Sequence, residues 1–113
     1  MKRAYLLAAA LLAGGGLVQS AVAADPNYAR NLASTCFTCH GTDGRSVNGV
    51  PPSLAGQNKD YLLKQLHEFR DGKRPATIMH QHSKGYTEEQ LALIAGYFAS
   101  VTPGRAAAAP AAR

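Results

Sequence analysis

Two cysteines and a histidine lie together in the segment Cys36-Phe37-Thr38-Cys39-His40. A Cys-x-x-Cys pair followed directly by histidine is typical of covalent haem attachment, in which the thiols bond the porphyrin and the imidazole binds the iron. The same pair also occurs in redox dithiols, structural disulfides and zinc sites. A dithiol site would need a βαβ pattern around it, and a zinc site would need a second ligand pair. Neither pattern is visible in the sequence, so the motif predicts one covalently bound haem c.

The ligand on the second face of the iron decides what such a centre does. If His40 binds one face, Met79 is the candidate for the other, because Met1 lies in a segment that export would remove. The competing candidates are the remaining histidines, His67, His80 and His82. A Met/His pair raises the reduction potential relative to two histidines and fills both axial positions. The pair predicts electron transfer, and a labile sixth ligand would instead suit a haem enzyme or a gas sensor.

The first 24 residues have the pattern of a secretory signal peptide. A basic start is followed by the apolar run Leu6–Val18 and by small residues just before Asp25. The run is shorter than the ~20 residues that a membrane-spanning helix needs. We therefore expect a cleaved signal over 1–24, a periplasmic domain over 25–102, and a flexible tail rich in alanine and proline over 103–113.

The charge of the mature chain is mildly positive. The full chain has 12 basic and seven acidic residues, and loss of Lys2 and Arg3 leaves a net charge of about +3. A small, scattered excess of this kind favours encounter with an acidic protein surface and gives no indication of nucleic-acid binding. A domain of this size has a marginal core, which a buried haem would complete.

Three helices are expected in the mature chain, because no segment shows the alternation of a strand. The first begins near Asn27 and continues into the cysteine motif. The second is capped by Asn58 and ends at Gly72, and the third begins with the capping box Thr87-Glu88-Glu89-Gln90. The side chains expected on their apolar faces are Tyr28, Leu32, Cys36, Tyr61, Leu62, Leu66, Phe69, Leu91, Ile94, Ala95 and Phe98.

Two long segments, 41–57 and 73–86, have the composition of loops. Loops of this length are unusual in a small domain unless a ligand organises them. The pattern therefore predicts an all-α fold around one haem. Within the third helix, Gly96 is expected to allow a close crossing with the first helix near Ala29 and Ala33.

Several residues outside the motif are candidates for supporting roles. A metal-bound imidazole commonly donates its second N–H to a carbonyl group, and the carbonyls of Pro51 and Pro52 are candidates here. Tyrosines with an apolar ring and a hydroxyl could line the haem pocket, and basic side chains could pair with propionates. The candidates are Tyr61, Tyr86, Tyr97, Arg74 and Lys84.

Taken together, these motifs resemble those of the bacterial class I c-type cytochromes. The shared segments are Cys36-x-x-Cys39-His40-Gly41, Pro52-Ser53-Leu54-Ala55-Gly56-Gln57, Tyr61…Gln65-Leu66…Phe69…Gly72, Met79 and Ala95-Gly96-Tyr97-Phe98. The segments Thr77-Ile78-Met79 and Lys84-Gly85-Tyr86-Thr87 are similar to the haem domain of the cytochrome subunit of flavocytochrome c sulfide dehydrogenases.

The resemblance implies the class I cytochrome c fold with one haem c. It implies that Cys36 and Cys39 form thioethers, that His40 and Met79 are axial ligands, and that the Pro52 carbonyl is the partner of His40. It also implies redox proteins as partners, among them a flavoprotein sulfide dehydrogenase subunit. That cytochrome subunit often has two haem domains, whereas this chain has one haem motif.

Overall fold

The structure is a computed structural model that describes residues 25–104. The expected signal peptide and nearly all of the expected tail lie outside these residues. The helices are α1 (Tyr28–His40), α2 (Lys59–Arg70), α3 (Met79–Lys84) and α4 (Glu88–Ser100), with a short 3₁₀ helix at Thr42–Gly44. Within residues 25–104 there is no strand, and the predicted all-α fold is confirmed.

The starts of α2 and α4 follow from their capping residues. Asn58 Oδ1 accepts a hydrogen bond from the backbone N–H of Tyr61 at 3.0 Å. At α4, the Thr87 hydroxyl accepts from the Gln90 N–H at 3.3 Å, and Gln90 Oε1 accepts from the Thr87 N–H at 3.0 Å. These contacts satisfy N–H groups that have no partner inside a helix, so both predicted starts are confirmed.

The prediction of an uninterrupted loop over 73–86 is wrong, because this segment contains α3. The helix is six residues long, begins at Met79 and packs against α2. Its sequence, Met-His-Gln-His-Ser-Lys, has too few apolar residues to produce a helical pattern. Packing against α2 therefore stabilises α3, and local sequence could not predict that contact.

The core lies where α4 packs against α1 and α2. Its buried members are Ala33, Leu62, Ile94, Ala95 and Phe98, each at most 7% exposed. The predicted apolar face of α4 is confirmed, since Leu91 is buried as well. Among the residues described, no helix has the length and apolarity needed to cross a membrane.

The role predicted for Gly96 is wrong. A Cβ atom at Gly96 would lie 3.6 Å from Cε of Lys59, which belongs to α2 and not to α1. Ala33 of α1 and Ala95 of α4 are small residues of the core, and both are fully buried. Because methyl side chains take little space, they permit the two helices to pack closely without a glycine.

Candidate functional site

The cysteine–histidine motif forms the last turns of α1. Cys36 and His40 are four residues apart and so project from the same face of the helix, with Cys39 one position before His40. The chain then turns at Gly41, whose φ is +84°. A Cβ atom there would lie 2.0 Å from the carbonyl oxygen of Arg45, so only glycine fits this turn.

One apolar cavity of about 470 Å³ lies beside this motif. Residues from α1, α2, α3 and α4 and from the segment 51–57 line it. The five residues predicted for the site all contribute to its wall: Cys36, Cys39, His40, Pro52 and Met79. The volume is within the usual range of small-molecule sites, and two thiols, an imidazole and a thioether are donors that fit a covalently attached haem.

His40 is 7% exposed, and its ring orientation is determined by one hydrogen bond. Nδ1 lies 2.7 Å from the carbonyl oxygen of Pro52. Since a carbonyl oxygen can only accept, Nδ1 carries the proton and donates it. The other nitrogen, Nε2, is then unprotonated in the neutral ring and has the lone pair that a metal ion needs.

Met79, the first residue of α3, also lines the cavity, although it lies 39 residues after His40 in the sequence. Of the competing histidines, His82 also lines this cavity. His80 instead lines a separate, smaller cavity, and Nε2 of His67 lies 2.7 Å from a carboxylate oxygen of Glu88. The contact between His67 and Glu88 is close enough for an ion pair, but its angle does not meet the requirement for a hydrogen bond. His67 is therefore directed toward α4 and away from the site.

The two cysteines lie in different environments. Cys39 is exposed, whereas Cys36 is partly buried against the core. Burial raises the pKa of the Cys36 thiol, and the neighbouring Cys39 acts in the same direction. Loss of water disfavours the charged thiolate, which is the main cause of this shift.

The supporting residues predicted from sequence divide into two groups. Tyr61, Tyr86 and Arg74 line the main cavity. The Tyr86 hydroxyl lies 2.5 Å from the hydroxyl of Thr35, which joins the start of α4 to α1 beside Cys36. Tyr97 does not line the cavity, and Lys84 lines only the smaller one.

Arg74 is held in place at the cavity by two side chains of α2. Its guanidinium carbon lies 4.6 Å from the centre of the Phe69 ring, and it donates a hydrogen bond to the side-chain oxygen of Gln65. Stacking on an aromatic ring leaves the remaining N–H groups of an arginine available to an anionic group.

Ser83 is a wall residue that sequence reasoning missed. It is 1% exposed, and its hydroxyl has no hydrogen-bond partner among residues 25–104. It follows Met79 by four residues, so it lies on the same face of α3. That spacing would have indicated its position if α3 had been recognised as a helix.

The comparisons with known proteins agree with this geometry. Residues 28–102 match the family model described as cytochrome c. The chain is 38% identical over 107 residues to the cytochrome subunit of sulfide dehydrogenase from Chlorobaculum tepidum, an alignment that spans 86% of this chain and 96% of that protein.

Two further relatives are longer than this chain. It is 41% identical over 95 residues to cytochrome c4 from Pseudomonas aeruginosa, covering 84% of this chain and 47% of that one. It is 35% identical over 77 residues to a thiosulfate dehydrogenase electron acceptor from Stutzerimonas stutzeri, covering 66% of this chain and 35% of that one. The matched region is therefore less than half of each of these two proteins.

Proposed function

Because the chain belongs to the cytochrome c family, we propose that Cys36 and Cys39 form the two thioether bonds to its haem c and that His40 and Met79 are the axial ligands. One observation carries this assignment: four donors from two segments about 40 residues apart line a single apolar cavity. The relatives named above are electron carriers or cytochrome subunits, and this protein is likewise an electron-transfer protein and not an enzyme.

The haem supplies a one-electron couple at its iron. The protein's residues would determine how that couple is used: His40, oriented by Pro52, would bind one face of the iron, and Met79 would bind the other. If both side chains bind the iron, no position would remain there for a substrate, which suits a group that exchanges electrons. Arg74, held at the cavity by Phe69 and Gln65, would be available to neutralise a propionate.

Covalent attachment is tested by expressing the chain in bacteria that mature c-type cytochromes. A band of haem peroxidase activity should stay with the polypeptide on a denaturing gel, because thioether bonds survive denaturation. Cys36→Ala and Cys39→Ala should each leave a single thioether, and the double variant should leave none. A colourless wild-type protein would reject the proposed function.

Electron exchange with a flavoprotein is the specific partnership that we propose. It is supported by 38% identity to a cytochrome subunit of sulfide dehydrogenase over nearly the full length of both chains. A free carrier is the second candidate, since cytochrome c4 and a thiosulfate dehydrogenase electron acceptor are relatives as well. Affinity purification of the tagged protein from its native cells distinguishes the two: a flavin-containing protein should copurify in stoichiometric amount, and its absence would favour a free carrier.

Export to the periplasm is proposed from the first 24 residues. Their basic start, apolar run and small residues before Asp25 support cleavage near that position. Amino-terminal sequencing of the haem-containing protein should begin at Ala24 or Asp25. A protein that retained Met1 would contradict the proposal, as would recovery of the haem protein in the cytoplasmic fraction.

A further inference from the structure

Asp43 lies three residues after His40 and binds side chains from three parts of the chain. Its carboxylate accepts hydrogen bonds from the Tyr97 hydroxyl of α4 at 2.5 Å and from Nε of Arg30 of α1 at 3.1 Å. Arg45 lies 3.5 Å from its second oxygen. The side chain is only 22% exposed, so these partners replace most of its water.

The backbone at Asp43 is itself constrained. Its φ is +54°, in the left-handed region that non-glycine residues rarely adopt. Aspartate tolerates this conformation better than most residues, but the conformation still costs about 1–2 kcal/mol. Three side-chain contacts at one carboxylate offset such a cost and hold the 3₁₀ turn in place.

The next residue connects this turn to the loop that orients His40. The Gly44 carbonyl accepts hydrogen bonds from the N–H groups of Leu54 at 2.8 Å and Ala55 at 3.2 Å. Gly44 also lies against the ring of Phe98, where an added Cβ would be only 2.7 Å from the ring. The position of Gly44 thus determines the positions of Leu54 and Ala55. It also restricts Pro52, which lies two residues before Leu54 in the same segment.

We propose that Asp43 is a positioning residue for the axial histidine. Through the 3₁₀ turn and the Gly44 carbonyl, it holds the Pro52 carbonyl against Nδ1 of His40. The inference rests on the proposed role of His40 as an iron ligand. Neither Asp43 nor Tyr97 lines the cavity, so they would influence a bound haem iron only through this loop and through the charge of Asp43.

The direction of the effect follows from the chemistry of imidazole. A hydrogen bond donated from Nδ1 makes the ring a stronger electron donor, which stabilises the oxidised iron and lowers the reduction potential. If the turn loosens, the bond from His40 to Pro52 weakens and the potential rises. The proton on Nδ1 also becomes less protected from exchange with water.

Tyr97→Phe is the deciding variant. It removes the hydroxyl that binds Asp43 while it keeps the ring in the core and leaves the net charge unchanged. We expect a higher reduction potential and faster exchange of the His40 Nδ1 proton in the NMR spectrum of the haem-loaded protein. Asp43→Asn should move both quantities in the same direction and further, because it weakens the contacts with Arg30 and Arg45 as well.

Two control variants match these changes elsewhere in the molecule. Tyr28→Phe removes a tyrosine hydroxyl on α1 whose partner is Gln90 at 3.4 Å. Glu88→Gln removes a carboxylate that pairs with Arg70 at 3.0 Å and has no contact with the turn. Both should leave the potential and the Nδ1 exchange rate close to those of the wild type.

The inference fails if Tyr97→Phe leaves both quantities at their wild-type values, since any shift in Asp43→Asn would then be an effect of charge alone. It also fails if Glu88→Gln and Asp43→Asn shift the potential equally. These outcomes are distinct from failure of the proposed function, in which the wild-type protein would contain no covalently bound haem.

Discussion

Nδ1 of His40 donates a hydrogen bond to the carbonyl oxygen of Pro52, twelve residues away, over a distance of 2.7 Å. Because neither Pro51 nor Pro52 has an N–H, this segment presents carbonyls with few competing donors. The contact leaves Nε2 of His40 with its lone pair at the wall of the cavity. It thus joins the helix that carries the motif to the loop that follows it.

Replacement of Met79 by alanine should open one axial position. We expect the reduced protein to bind carbon monoxide at neutral pH and the reduction potential to fall, because a thioether ligand raises the potential. The measurements are the visible spectrum with and without carbon monoxide and a redox titration.

His82→Ala is the matched control for the methionine, since His82 lines the same cavity from the same helix. It should bind no carbon monoxide and should keep the wild-type potential. If Met79→Ala leaves spectrum and potential unchanged while His82→Ala alters them, the axial ligand is the histidine.

Gly44 should tolerate no side chain. Gly44 and Gly49 both have a positive φ, of +77° and +74°, but only Gly44 has neighbours within reach of an added Cβ. Gly49→Ala should therefore cost about 1–2 kcal/mol of unfolding free energy from backbone strain alone. Gly44→Ala should cost roughly 1–3 kcal/mol more, because its Cβ overlaps the Phe98 ring. Equal losses in chemical denaturation would show that the ring moves freely.

Leu66 should contribute strongly to stability in the haem-loaded protein. It lines the cavity and packs against the buried core. Leu66→Ala removes these contacts and should cost about 2–5 kcal/mol. Leu93 of α4 is 40% exposed and is the matched control, whose replacement by alanine should cost well below that range. A small loss at Leu66 would mean that its side chain does not pack on the haem or the core.

The Asp43–Tyr97 pair should make stability depend on pH at both extremes. The hydrogen bond from Tyr97, with the charge of Arg30, lowers the pKa of Asp43 below its usual 3.8. A carboxylate with a lowered pKa in the folded state contributes stability that is complete above pH 3.8 and is lost as the pH falls below it. The stability difference between the wild type and Asp43→Asn should shrink in that acidic range.

At alkaline pH, the dependence of stability on pH has the opposite sign. Burial, followed by the hydrogen bond to Asp43, raises the pKa of Tyr97 above its usual 10.0. The neutral phenol is thus favoured in the folded state, and its contribution is complete below pH 10.0 and is lost as the pH rises further. Denaturation of the wild type and Tyr97→Phe across both ranges measures the effect. A constant difference between them at alkaline pH would contradict it.

The amino-acid sequence was sufficient to predict the all-α fold, the starts of α2 and α4, and the apolar face of α4. Each rests on a local signal. The side chains of Asn58 and Thr87 accept hydrogen bonds from backbone N–H groups three residues later in the chain. Leu91, Ile94 and Phe98 repeat at the helical period. Local signals are readable because the residues involved are neighbours in the chain. The same reasoning missed α3, whose six residues have no such pattern.

The sequence by itself was enough to predict the chemistry of this protein, because the cysteine–histidine motif indicates haem attachment and the match to the cytochrome c family supports it, with Met79 as the proposed second ligand. Tertiary structure alone decided which supporting residues serve that site. It placed Tyr86 in the cavity wall. It placed Tyr97 outside the wall, where the Tyr97 hydroxyl donates a hydrogen bond to Asp43, 54 residues away in the sequence. Such contacts arise only when α1 and α4 pack together, and no spacing along the chain encodes them.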